Sequence, residues 1–225
     1  MKFYDCATAP SPRRVRIFLA EKGIELETIQ VDLAKGEQFS EEFKAINPLG
    51  EVPLLALDDG TTISQVNAIC RYLEEIYPET PLHGRNPVER AQVESSNSQL
   101  QANGLSAVAE AFRNATPGFK HRAMPGPHNY EQIPQLAERG LLRLDNLFSD
   151  LNTHLADNQY IVGDYFSVAD ITALTTVDFA KWVKKRIPED CSNLQRWYNQ
   201  VSDRPSAKAC LLYTSPSPRD AHESR

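Results

Sequence analysis

The stretch NPLGEVPLLALDDGTTISQVNAI, residues 47–69, decides the fold. Within it, Val52-Pro53-Leu54-Leu55-Ala56-Leu57 is a short apolar run of strand type, and Asp59-Gly60 is a strong hairpin turn. Thr61–Ile63 returns as the partner strand. Val66, Ile69, Leu73 and Ile76 then recur at helical spacing, which predicts a helix with Ser64 as its N-cap.

Upstream, strands and helices alternate. Lys2–Asp5 and Glu27–Val31 read as short strands. Between them Val15, Phe18 and Leu19 mark a helix, with Ser11 as N-cap, Pro12 at the first helical position and Gly23 ending it. Glu41–Ala45 reads as a short helix. The order β-α-β-α-β-β-α implies a mixed sheet covered by helices. Downstream, PETPLHGRNP (78–87) reads as a linker, and strand signals vanish beyond it. Val88–Phe112 is a long helix candidate, and three more helices are marked by Leu144–Leu151, Ile171–Val177 and Leu194–Val201. Thr116–Pro134 interrupts them with four prolines and two glycines, the composition of a lid or binding segment. The predicted architecture is an α/β domain over 1–80 and an all-α helical bundle over 88–208. The segment 209–225 is expected to be a disordered or non-native tail.

Composition excludes several functions. The 24 basic and 30 acidic residues give a net charge of −6, which lacks the basic footprint of a nucleic-acid or anionic-membrane partner. No apolar run is long enough to span a bilayer, and the N-terminus does not read as a secretory signal. Cys6, Cys70, Cys191 and Cys210 have no C-x-x-C spacing and read as free thiols of a reducing cytoplasm. The five histidines lack metal-ligand spacing. Ser167-x-x-Asp170 reads as a helix capping box.

Taken in order, the motifs Arg14-Val15-Arg16-Ile17, Gly36-Glu37-Gln38-Phe39-Ser40, Asn47–Pro53, Gln65–Ile69 and Phe166–Ile171 resemble those of cytosolic glutathione transferases. The Ala115-Thr116-Pro117-Gly118 segment and the region around Trp197-Tyr198 look closest to the atypical yeast-type and bacterial group, with zeta, phi and theta-like features elsewhere. The resemblance covers about residues 1–208. It implies that the α/β domain is thioredoxin-like, that the chain is a cytoplasmic homodimer, and that glutathione is a co-substrate with no permanently bound cofactor.

The resemblance also implies a site. Val52-Pro53 would be a cis peptide that offers the Val52 backbone to the cysteinyl part of glutathione. Gln65 and Val66 would hold its γ-glutamyl group, although Val66 lacks the hydroxyl usual at that place, and Asn67 is a substitute donor. Gln38 would meet the glycine end, where Phe39 replaces the lysine of some phi-type members. The position of the family's catalytic serine or cysteine falls on Ala9. The nearby hydroxyls Thr8 and Ser11 are the catalytic candidates, with backbone N–H groups and a water as alternatives. Ser11 reads first as the cap of the helix beginning at Pro12, a role that does not exclude catalysis. Phe112, Phe119, Met124 and Tyr130 are candidates for a hydrophobic electrophile pocket and are equally compatible with core positions. The implied activity is addition of the glutathione thiolate to an electrophile. An isomerase, a disulfide reductase or a non-catalytic scaffold on the same fold are the alternatives, the last favoured by Ala9 and Val66.

Overall fold

In the computed structural model, which describes residues 1–210, the 47–69 stretch folds back on a central strand. That strand, β1 (Lys2–Asp5), runs parallel to β2 (Glu27–Gln30) and antiparallel to β3 (Leu54–Ala56), and β3 pairs antiparallel with β4 (Thr62–Ser64). The sheet order is β2-β1-β3-β4. Between these strands lie α1 (Pro10–Lys22) and α2 (Glu41–Ile46), and α3 (Val66–Ile76) follows β4. This is the predicted order, and it is a thioredoxin-like arrangement.

Side-chain alternation along β3 divides the core. Leu55 packs with Phe3, Val15, Phe18, Ile69 and Leu73 beneath α1 and α3, while Leu54 packs with Val31 and Phe43 of the α2 side. The first cluster continues without a break into the helical half through Val93, Leu144, Leu174 and Trp197. Each such side chain removed from water contributes about 1.5–3 kcal/mol, so the two halves stabilise one another.

The helical half comprises α4 (Pro87–Leu100), α5 (Ser106–Ala115), α6 (Pro134–His154), α7 (Val168–Ala180), α8 (Ser192–Ser202) and α9 (Pro205–Ala209). The long helix expected over Val88–Phe112 is present as one uninterrupted helical run from Pro87 to Ala115, with a π turn at its middle. This turn, Gln101–Leu105, joins α4 to α5. Carbonyls at this turn find side-chain donors: Arg143 Nη2 donates to Ala102 O, and Ser106 Oγ donates to Gln101 O at 2.9 Å. The Ser167–Asp170 capping box is present at the start of α7. Ala209 and Cys210, assigned to the tail from sequence, close α9, and Cys210 is buried. The remainder of the expected tail, 211–225, lies outside the described residues.

Two helix starts differ from expectation. Helix α1 begins at Pro10, capped by the extended residue Ala9 (φ −87°, ψ 139°), so Ser11 is not the N-cap but lies in the first turn. Both Ala9 and Ser11 precede a proline, and it is Ala9 that takes the extended pre-proline conformation while Ser11 is helical. Ser64 belongs to β4, and Gln65 caps α3 at φ 73° without a side-chain cap bond.

Candidate functional site

The loop from β1 to α1 is pinned by a buried carboxylate. Asp5, 2% exposed, accepts Arg16 Nη1 at 2.5 Å and Gln30 Nε2 at 2.7 Å. Arg16 then donates onward to the Cys6 and Ala7 carbonyls, and the Ala7 N–H donates to Gln30 Oε1. This fixes the chain where it turns into α1. The first helical turn carries prolines at 10 and 12, which have no N–H, and the Arg13 N–H is bonded to Ala9 O. Ser11 is left with the open backbone donor of that turn, beside a hydroxyl not engaged in capping.

A cleft of about 630 Å³ opens next to it, between the thioredoxin-like half and the helical half. Ala9, Ser11 and Arg14 form its floor, and Gln38, Val52, Pro53, Gln65 and Val66 form one wall. Leu105, Ala109, Arg113 and loop residues Arg122–Gly126 form the other. The sequence candidates Ser11, Gln38, Val52, Pro53, Gln65, Val66 and Met124 are thus brought together. The Val52-Pro53 peptide is cis. Among the described residues, no hydrogen bond within the chain engages the Val52 N–H or C=O.

Gln65 sits in the left-handed region at a position any glycine would take more easily, a conformation that costs roughly 1–3 kcal/mol and is held by its surroundings. Its Nε2 donates to Glu51 Oε2 at 3.0 Å. The N–H groups of Val66, Asn67 and Ala68 begin α3 without a capping side chain, and such a helix end favours a carboxylate. Asn67 is not among the residues that line the cleft, and its Oδ1 accepts Asn97 Nδ2 at 3.2 Å. Gln38 is buried, and its Oε1 has no hydrogen-bond partner.

Arg14 is the charge nearest the floor. Its guanidinium donates to Gln101 Oε1 at 2.7 Å, and among the described residues no carboxylate pairs with it. Burial lowers it to about 10, which leaves it protonated at neutral pH. Its neighbour Arg13 is neutralised by Asp178 at 2.7 Å, a carboxylate that Lys181 and Tyr198 also engage.

The other candidates lie elsewhere. Thr8 lines a smaller side cavity of about 160 Å³ with Arg13, Asp178, Phe179, Lys181 and Trp182, and its hydroxyl approaches Cys6 Sγ at 3.5 Å. Ala9 and Pro10 separate the two cavities and line both. Phe112 lines neither cavity and stacks edge-on with Phe119, Phe179 and Trp182 at centroid distances of 5.1–5.8 Å within that cluster. Phe119 is covered by the Arg113 guanidinium at 4.4 Å. Tyr130 is exposed and is held in the loop by its backbone bonds to His121 and Ala123. Phe179 lines both cavities and Trp182 the smaller one, and the sequence marked neither as a site residue.

Asp170 is structural. Completely buried, it accepts the N–H groups of Ile161 and Ser167, the Ser167 hydroxyl and the Trp197 indole. Burial pushes it up to about 6 against those bonds. All four cysteines are buried free thiols, and burial raises Cys70 to about 12. No metal-ligand cluster occurs among the described residues. No helix among them is long and apolar enough to cross a membrane.

Comparison with known proteins agrees with the geometry. Residues 8–76 match the family model of the glutathione S-transferase N-terminal domain, and residues 107–205 match that of the C-terminal domain. Glutathione S-transferase 2 of Saccharomyces cerevisiae is 36% identical over 222 residues, covering 96% of this chain and 92% of the relative. The crystal structure of Gtt2 from the same yeast superposes with TM-score 0.85 at 35% identity, covering 94% of this chain and 100% of that one. A glutathione S-transferase domain-containing protein of Marinobacter aquaeolei gives TM-score 0.85 at 37% identity, covering 92% and 100%.

Proposed function

The chain belongs to the glutathione S-transferase family, and from that premise we propose that its cleft binds glutathione, ionises the thiol and adds it to a hydrophobic electrophile. The observation that carries this reading is the convergence of Ser11, Gln38, Val52, Pro53, Gln65 and Val66 on one cavity. In this reading the tripeptide lies extended along the unpaired Val52 backbone, a small-scale strand addition. Its γ-glutamyl carboxylate meets the open N-terminus of α3 beside Gln65. Val66 contributes its N–H alone, and its missing hydroxyl costs about 0.5–1.5 kcal/mol.

The sulfur then lies over Ala9, which offers no side-chain donor. Thiolate is the nucleophile, and helix N-termini and nearby cations lower a thiol's pKa from about 8.5. Three features supply this effect. The Ser11 N–H is open, the Ser11 hydroxyl is uncommitted, and Arg14 is a buried cation without a carboxylate partner. A water held at the floor is compatible with the space left by Ala9. Deprotonation sends the thiol proton to solvent, and attack forms a carbon–sulfur bond as the electrophile's leaving group departs. The electrophile occupies the region of Leu105, Ala109 and Phe179, with Trp182 in the adjoining cavity.

The enzyme works as a homodimer in the cytoplasm. The four free thiols support the compartment, and the family resemblance supports the dimer. The test is conjugation of a generic aromatic halide with glutathione by the purified chain. Saturable turnover at neutral pH is expected. Glutathione binding without turnover on halides, epoxides or disulfides would replace the transferase reading with that of a binding scaffold.

A further inference from the structure

The glycine end of the cleft has no cation of its own domain. Its lining there is Leu33, Gln38 and Phe39. Lys35 pairs with Asp32 at 3.2 Å and Lys44 with Glu41 at 3.5 Å, neither among the residues that line the cleft. A tripeptide with two carboxylates would place one at the N-terminus of α3 and the other here, beside the buried Gln38 side chain, whose amide N–H group is the donor available to it.

The helical half supplies the missing charge. The Arg122 guanidinium lies over the Phe39 ring, 4.7 Å from its centroid, and lines the cleft. It makes no ion pair within the chain among the described residues. Its position is built rather than incidental. Arg113 donates to the carbonyls of Arg122, Ala123 and Met124 at 2.7–3.1 Å, and Arg122 bridges to Tyr130 across the loop. Below, the Phe39 ring rests on Gly50, where an added Cβ would meet it at 2.9 Å, so the platform under Arg122 is itself fixed. Arg113 registers this field: burial first, and then the Arg122 charge, lower its pKa.

We infer that Arg122, stacked on Phe39, is the residue that binds the glycyl carboxylate of glutathione, so that the helical half completes the site across the cleft. This rests on the glutathione reading above. It also accounts for an aromatic ring at position 39: the ring positions an arginine contributed from the other half of the molecule.

The test is titration calorimetry of the full chain and its Arg122→Ala and Arg122→Lys variants with glutathione and with its glycine monoethyl ester, which lacks that carboxylate. The unsubstituted chain is expected to prefer glutathione by about tenfold. Arg122→Ala should lose about that factor for glutathione and almost none for the ester, and Arg122→Lys should keep part of the preference. Equal losses for both ligands in Arg122→Ala, or no loss, would overturn the inference while leaving the glutathione site standing. Binding of neither ligand by the unsubstituted chain would overturn the glutathione reading and this inference with it.

Discussion

Gln65 Nε2 donates to Glu51 Oε2 at 3.0 Å, which ties the cap of α3 to the turn that precedes the cis Val52-Pro53 peptide. The hydrogen bond holds Gln65 at φ 73° with its backbone presented to the cleft. Gln65→Ala should weaken glutathione binding about tenfold or more, because it removes the carboxamide and leaves a Cβ in a strained conformation. Gln65→Gly should weaken binding similarly yet be more stable than Gln65→Ala by about 1 kcal/mol, since glycine takes a positive φ without penalty. Urea unfolding of the two variants measures the difference.

The two hydroxyl candidates are separated by Ala9 and Pro10. Ser11→Ala should therefore lower the conjugation rate and raise the apparent pKa of its pH profile. Thr8→Ala should leave that pKa in place. A pH–rate series on both variants checks this, and the opposite pattern would move the sulfur into the side cavity.

Arg14 invites a charge test. Arg14→Met keeps much of the stem that packs under the cleft but removes the cation. The pH profile of conjugation should shift to higher pH, with a fall of about tenfold or more at neutral pH. Melting temperature separates this from misfolding.

Helices α5 and α6 touch through Gly140, where an added Cβ would meet Ala107 O at 2.5 Å and Ala111 N at 2.9 Å. Both atoms are backbone and cannot rotate away. Gly140→Ala should destabilise the fold by about 1–3 kcal/mol or more, measured by urea unfolding.

Asp170 gives a pH signature of folding. Its folded pKa of about 6 lies above the value of about 3.9 for an unfolded chain. The folded state holds this proton more tightly, so the contribution is complete below about pH 4 and is lost as pH rises through about 6. Asp170→Asn cannot titrate and turns a donor toward the Ser167 N–H. It should be less stable by about 2–4 kcal/mol, with the deficit largest at the acid end of that window.

Much of the thioredoxin-like half was legible because its signals are local. Asp59-Gly60, Gly23 and the 66-69-73-76 spacing act over a few residues. The errors lie where local rules compete. Ser11 before Pro12 and Ala9 before Pro10 are both plausible helix starts, and the structure selects the earlier. Ser64 is a better cap by type, yet pairing with Leu54 draws it into β4 and gives the cap to Gln65. The π turn at Gln101–Leu105 has no sequence signal of its own.

In the site, wall residues belonging to recognisable motifs were legible, and those set by long-range packing were not. Phe112 and Phe119 read in sequence as pocket or core aromatics alike, and in the fold they pack against Trp182 and under Arg113. Arg122 and Arg14 enter the cleft through contacts with Phe39 and Gln101, partners more than eighty residues distant along the chain that periodicity cannot connect.

In the proposed function the cleft binds glutathione and ionises its thiol without a side-chain donor at position 9. The most direct measurement is the ultraviolet absorbance of the thiolate in the binary complex, titrated with pH. Saturable binding is expected, with a bound-thiol pKa clearly below that of free glutathione and close to neutrality. No binding at millimolar glutathione, or binding with an unshifted pKa, would contradict that function.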